Sequence, residues 1–169
     1  MRAWLVDVSK QVALTLPVAI AFTDLIASVV KVEGPSMQPT FNPDSRKGSD
    51  WVLVEKVSHK LMYKYTRGDV IVLWAPDNPR LQIVKRLIAL ESDLVWDDRK
   101  QSAEEIGAGH CWVEGDNSRR SCDSRTSYGP VHLGLLEGRA LCVIWPPSRM
   151  GWVNGELPPG KVLTTSKGR

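Results

Sequence analysis

A mainly β fold preceded by one N-terminal transmembrane helix is what these 169 residues predict, on three observations. Short runs rich in β-branched and aromatic residues recur between Trp51 and Trp145, bounded by turn residues. One apolar window precedes them, at residues 12–30 between Lys10 and Lys31. The breakers separating the later runs leave little room for long helices after residue 31.

The apolar window is dominated by Val, Ala, Leu and Ile, and as a helix it would measure about 28 Å, close to the thickness of a bilayer core. Pro17 and Asp24 interrupt it. A carboxylate at mid-membrane costs about 2.5 to 3.5 kcal/mol, which places Asp24 near an interface or against a polar group of another helix. A buried helix of a soluble protein and a removable signal peptide are the rival readings; the run continues past Ala19-Ile20-Ala21, which favours retention. Arg2 and Lys10 before the run, against Lys31 after it, put the N-terminus inside and the bulk of the chain across the membrane.

The expected strands are WVLVEKV at 51–57, DVIVLW at 69–74, LQIVKRLIAL at 81–90, CWVE at 111–114 and ALCVIW at 140–145. Turn signals separate them at 67–69, at Pro76 with Asn78-Pro79, at 107–109, at 115–117 and at Gly129-Pro130. Trp51, Trp74, Trp112 and Trp145 fall inside strands and are expected in the core, with Trp4, Trp96 and Trp152 nearer a surface. The organisation that follows is an N-terminal segment at 1–31, a β-domain at 32–152 and a polar tail at 153–169 that frays.

Lys+Arg 22 against Asp+Glu 19 gives a net charge of +3, scattered rather than striped, so nucleic acid is not an expected partner. Cys111, Cys122 and Cys142 make no disulfide framework or CxxC pair, and His59, His110 and His132 have no ligand spacing, so no metal and no cofactor is expected.

Three segments carry chemistry. Gly34 and two prolines fix a rigid non-helical backbone around Ser36 and Met37, displaying a hydroxyl; the bland alternative is a turn serine. In the strand at 81–90, period-2 alternation puts Lys85 on one face with Ile83, Leu87 and Ala89, and an amine among apolar side chains loses its proton more readily. A neutral Lys85 can take the proton of Ser36, making a nucleophile for acyl transfer without histidine. The alternative is a lysine snorkelling outward. In the polar loop at 115–125, Asp123 and Arg125 can form a charge-assisted pair that fixes the loop, while Ser121 can orient the lysine amine; a solvated loop is the alternative.

Together, VEGPSMQPTFNP at 32–43, RGDVIVLWAPDNP at 67–79, IVKRLIALE at 83–91, WVEGDN at 112–117, DSRTSYGPV at 123–131 and GLLEGRALCVIWPP at 134–147 resemble the type I signal peptidase family, in its mitochondrial inner membrane branch. The resemblance implies a signal-peptidase-like β-domain on one transmembrane helix, acting as a serine endopeptidase. It implies removal of sorting presequences from precursor proteins delivered to the mitochondrial intermembrane space, and a heterodimer with a related catalytic subunit. Ser36 matches the family's nucleophile and Lys85 its general base. Ser121, Asp123 and Arg125 fall on its loop motif, as lysine orientation and scaffolding. Two departures stand out. Gly34 replaces a hydroxyl residue that helps the oxyanion hole in many bacterial relatives, and Ser92 stands where an E-G-D turn often has glycine.

Two rival functions remain on sequence alone. One is a bacterial-type or thylakoid leader peptidase with the same dyad; the other is a non-catalytic subunit that binds presequences.

Overall fold

The computed structural model describes residues 11, 13, 15, 17, 25–44, 48–97, 99–158 and 162–164. Eleven strands are found among them: β1 (Ala27–Val32), β2 (Asp50–Glu55), β3 (Val70–Ala75), β4 (Asn78–Ala89), β5 (Leu94–Asp97), β6 (Ser102–Glu105), β7 (His110–Glu114), β8 (Val131–His132), β9 (Leu136–Trp145), β10 (Gly151–Trp152) and β11 (Val162–Thr164). The described helical pieces after β2 are single turns: α1 (Val57–Lys60), a π-helical turn (Ser124–Tyr128) and two 3-10 turns. The mainly β expectation holds.

The larger sheet is antiparallel with order β1-β2-β9-β3-β4-β7-β8, and β10 adds to β9. A smaller sheet runs β11-β5-β6. Three apolar clusters fill the interior. Val32, Met37, Phe41, Val52 and Val70 belong to the first. Ile71, Leu73, Leu87, Cys111 and Val113 belong to the second, and Ile88, Ala89, Val95, Ile106 and Trp112 to the third. Alternation along β4 distributes its side chains among them: Ile83 and Leu87 pack on the second cluster, Val84 on the first.

Pairing along β4 is uneven, and that shapes the molecule. β3 pairs with it from Asn78 to Arg86, whereas β7 reaches it only from Arg86 to Ala89. The first half of β4 therefore keeps one edge free among the described residues, which is why Pro79, with no amide to donate, sits inside a strand rather than breaking it.

Four expectations change. Residues 27–30, the end of the apolar window, are not helical: they form β1, whose backbone groups are taken by the ladder to β2. The rest of the window is largely outside the described residues, as are Asp24 and Trp4, and among the described residues no helix is long and apolar enough to cross a membrane. Trp112 is fully buried, but Trp51 and Trp145 are 42% and 56% exposed, facing each other as a cross-strand pair on the outer side of the sheet. Beyond Trp152 the chain does not simply fray, because residues 153–158 lie against the domain and β11 pairs with β5.

Candidate active site

Ser36 follows directly on β1. Gly34 takes φ +85, a left-handed conformation that a side chain would strain, and turns the chain out of the strand. The Gln38 amide donates to Pro35 O at 3.2 Å and the Phe41 amide to Met37 O at 2.9 Å, winding residues 35–41 into consecutive turns. Met37 and Phe41, each 1% exposed, anchor those turns in the first cluster. Ser36 is left half-buried, between the half-buried Pro35 and the buried Met37.

Lys85 comes from the middle of β4 opposite Ile71 and is 3% exposed. Its Nζ donates to Ser121 Oγ at 2.9 Å. Burial pushes the Lys85 ammonium below the ordinary lysine range, opposed by the Asp123 carboxylate, which favours the charged form. A group normally charged at neutral pH is thus driven toward the neutral amine that a base needs.

The loop carrying Ser121 is organised by Asp123. This buried carboxylate accepts from the Gly115 amide at 3.0 Å, the Arg125 amide at 3.1 Å and Arg125 Nη2 at 2.7 Å. Its own amide donates to Thr126 Oγ1 at 3.1 Å, closing a capping box at the start of the π-helical turn. Burial alone would raise the Asp123 carboxyl; the bonds from Arg125, Gly115 and Ser121 outweigh it and hold it below the usual carboxylate range.

Gly115 joins the two halves. A Cβ built there would stand 2.2 Å from Ser121 Oγ and 2.5 Å from Ser36 O, so the hydroxyl that holds Lys85 and the main chain of Ser36 flank a gap smaller than a methyl group. The Asn117 amide, two residues on, donates to Ser36 O at 3.0 Å. All seven residues that the sequence singles out, Gly34, Ser36, Met37, Lys85, Ser121, Asp123 and Arg125, belong to this connected region of the fold.

Sequence reasoning missed two further members. Arg86 and Asp116 form a bidentate pair, Nε to Oδ1 at 2.8 Å and Nη2 to Oδ2 at 2.7 Å, and Thr40 Oγ1 also donates to Asp116 Oδ2. A signal existed in the charged residues beside Lys85 and Gly115, but neither their pairing nor their burial is readable along the chain.

A cleft of about 350 Å³ opens beside Ser36. Residues 30–33 of the β1 region line one wall and residues 81–84 of β4 the other, so two strand edges face each other across it. Such a space suits an extended peptide held by main-chain hydrogen bonds.

Residues 5–101 and 92–145 match the family described as signal peptidase, peptidase S26. The chain is 44% identical over 147 residues to the mitochondrial inner membrane protease subunit 2 of Mus musculus, covering 85% of this chain and 82% of that one. It is 39% identical over 141 residues to the Saccharomyces cerevisiae protein of the same name, covering 80% and 78%. It is also 38% identical over 142 residues to the mitochondrial inner membrane protease subunit 1 of Mus musculus, covering 82% and 81%. A signal peptidase I crystal structure from Enterococcus faecalis V583 aligns at TM-score 0.38 and 24% identity, over 45% of this chain and 96% of that one. With the match running through both the Ser36 turn and the Lys85 strand, the chain belongs to the signal peptidase, peptidase S26, family.

Proposed function

We propose that this chain is a serine endopeptidase in which Ser36 is the nucleophile and Lys85 the general base, and that it removes sorting presequences from precursor proteins. The observation that carries the reading is the Lys85 amine, buried in the β-domain and held by Ser121 beside the Ser36 main chain. An extended substrate adds to the strand edges lining the cleft, with its small side chains before the scissile bond facing the shallow walls.

Neutral Lys85 takes the Ser36 proton as Oγ attacks the carbonyl carbon. The tetrahedral oxyanion is held by the Ser36 amide, since Gly34 has no side chain to offer. Lys85 then passes the proton to the leaving amine, freeing the new N-terminus, and later takes one from the water that hydrolyses the ester. Ser121 keeps the amine aimed, and the Asp123–Arg125 pair keeps Ser121 in place.

The relatives' names place them at the mitochondrial inner membrane and include both a subunit 1 and a subunit 2, which supports that location and a related partner subunit for this chain. In the proposed arrangement the apolar segment ahead of β1 is the membrane anchor, and the β-domain at 32–152 faces the intermembrane space.

The test is incubation of the purified chain with candidate precursors, beside Ser36→Ala and Lys85→Arg. Cleavage by the parent alone is expected. Cleavage retained in either variant rules out the dyad, and a parent that binds precursors without cutting them is a binding subunit instead.

A further inference from the structure

Arg86 follows Lys85 on β4 and is 5% exposed. Besides its fork to Asp116, its Nη1 donates to three carbonyls: Gly68 at 2.8 Å, Asn154 at 2.7 Å and Glu156 at 3.4 Å. One buried side chain therefore ties the turn at 115–117 to residues 153–158, far along the chain.

That segment is fastened on both flanks. Val153 packs on the first cluster and its amide donates to Leu141 O at 2.8 Å, while Leu157 packs on the third cluster. Between them the backbone passes so near Gly68 that a Cβ there would stand 2.0 Å from Gly155 O and 2.8 Å from Leu157 N. Asn154, Glu156 and Leu157 face Thr40 and Asp116 across a cavity of about 520 Å³, with Arg86 between them. None of residues 153–158 lines the cleft between β1 and β4.

We propose that residues 153–158 form a strap that positions the Ser36 turn for the reaction through Arg86 and Asp116. The proposal rests on the Ser36–Lys85 reading of the site. The guanidinium is a rigid planar fork, so where one end is held decides where the other points. With the strap in place, Arg86 holds Asp116. Asp116 receives Thr40 Oγ1 from the Ser36 turn and precedes Asn117, whose amide holds Ser36 O. With the strap released, Nη1 loses two of its three acceptors and the guanidinium turns toward water to regain partners. The Asp116 fork then loosens, and with it the Thr40 and Asn117 contacts that hold the Ser36 turn. Residues of the strap thus act on the reaction without touching the substrate.

The test uses the full chain with Leu157→Ser, which removes the strap's apolar anchor, and Leu157→Met as the conservative control. Hydrogen exchange at 153–158 reports release. In Leu157→Ser, kcat is expected to fall about 10- to 100-fold with KM nearly unchanged, as for a misplaced catalytic group. The acidic limb of its pH profile should stay where it is, because Lys85 lies on the face of β4 opposite Arg86 and the strap. Leu157→Met should keep parental values. If Leu157→Ser leaves the strap protected, Val153→Ser removes its other apolar anchor. Strap release with kcat unchanged overturns the proposal, and so does a fall in kcat that merely tracks lost thermal stability. The Asn117 amide resonance, followed by NMR in a Ser36→Ala background, reports whether strap release reaches the Ser36 turn and separates the two readings. A parent chain that does not cleave sinks the dyad, while an Asn117 amide indifferent to strap release sinks the strap.

Discussion

Ser121 Oγ lies 2.9 Å from Lys85 Nζ, and these two residues, 36 positions apart in sequence, set how the buried amine points. Four methylenes separate the Lys85 backbone from its nitrogen, and each bond is a rotor that packing alone does not fix. Ser121→Ala removes the acceptor without adding bulk. A hydrogen bond to a group that can carry charge contributes about 1.5 to 3 kcal/mol, so kcat should fall roughly 10- to 100-fold with the fold retained. Steady-state kinetics beside a thermal melt check this; unchanged kcat would remove Ser121 from the machinery.

The pH dependence follows from two opposing influences on Lys85. Burial lowers its proton affinity and the Asp123 charge raises it. In the proposed dyad activity requires the neutral amine, so it should rise with pH through the folded-state value, which lies below the ordinary lysine range. Asp123→Asn removes the raising influence, and the acidic limb should move to still lower pH. A limb moving upward, in a variant shown to be folded, would mean that Asp123 does not act on Lys85 through its charge.

The same burial makes a stability prediction. Because the folded-state value is depressed, the unfolded chain binds more protons between that value and the ordinary lysine value, and stability rises with pH across that window. Lys85→Met keeps the length of the side chain and removes the titration. Relative to the parent, the variant should gain stability as pH falls from about 10 toward the folded-state value and hold a constant advantage below it, while losing all cleavage. Denaturant melts at several pH values measure this, and a pH-independent difference would show that Lys85 titrates alike in both states.

How much of this was legible along the chain follows from range. Alternation in QIVKRLI places Lys85 among apolar neighbours, and glycine with prolines around Ser36 signals a displayed hydroxyl, because both signals are local. The Asp123–Arg125 pair is local too, two residues apart. Arg86 is different: its partners are Asp116, Gly68, Asn154 and Glu156, whose proximity depends on strand order and not on spacing. The short strands β5 and β6 carry Asp, Arg, Lys and Glu around a turn and show no apolar run long enough to declare a strand. Trp51 and Trp145 have strand propensity, but which face a tryptophan presents is set by register, and register comes from pairing.

Gly115→Ala tests the join between the two halves of the site. The new Cβ would stand 2.2 Å from Ser121 Oγ and 2.5 Å from Ser36 O, inside any permitted contact with either. Ser121 can rotate away, but then Lys85 loses its bond; Ser36 O can move only with its turn and with the Asn117 amide that donates to it. Overpacking of this kind costs typically 1 to 3 kcal/mol, and here the strain falls on the Ser36 turn and on the hydroxyl that holds Lys85. Cleavage should drop by more than in Ser121→Ala, and the melting temperature should fall as well. Parental activity in Gly115→Ala would show that the Ser36 turn and the Ser121 loop move independently.

Ser92 offers a change that strengthens the fold and leaves the chemistry alone. It sits at φ +65 in the turn between β4 and β5, a left-handed conformation that strains any side chain. The turn is fixed on both sides, by the Ser92 amide donating to Ile106 O at 2.8 Å and the Ile106 amide donating to Asp93 O at 2.9 Å, so the backbone cannot relax to a negative φ without losing those bonds. Glycine adopts this φ without a Cβ clash, which accounts physically for glycine in the related E-G-D turn. Ser92→Gly relieves about 1 to 2 kcal/mol of strain and gives back part of it as unfolded-chain entropy, a net gain on the order of 0.5 to 1 kcal/mol. A denaturant midpoint shifted upward with an unchanged slope, and kcat equal to the parent, is the expected result. A lower midpoint would mean that the Ser92 side chain contributes more to the turn than its left-handed backbone costs.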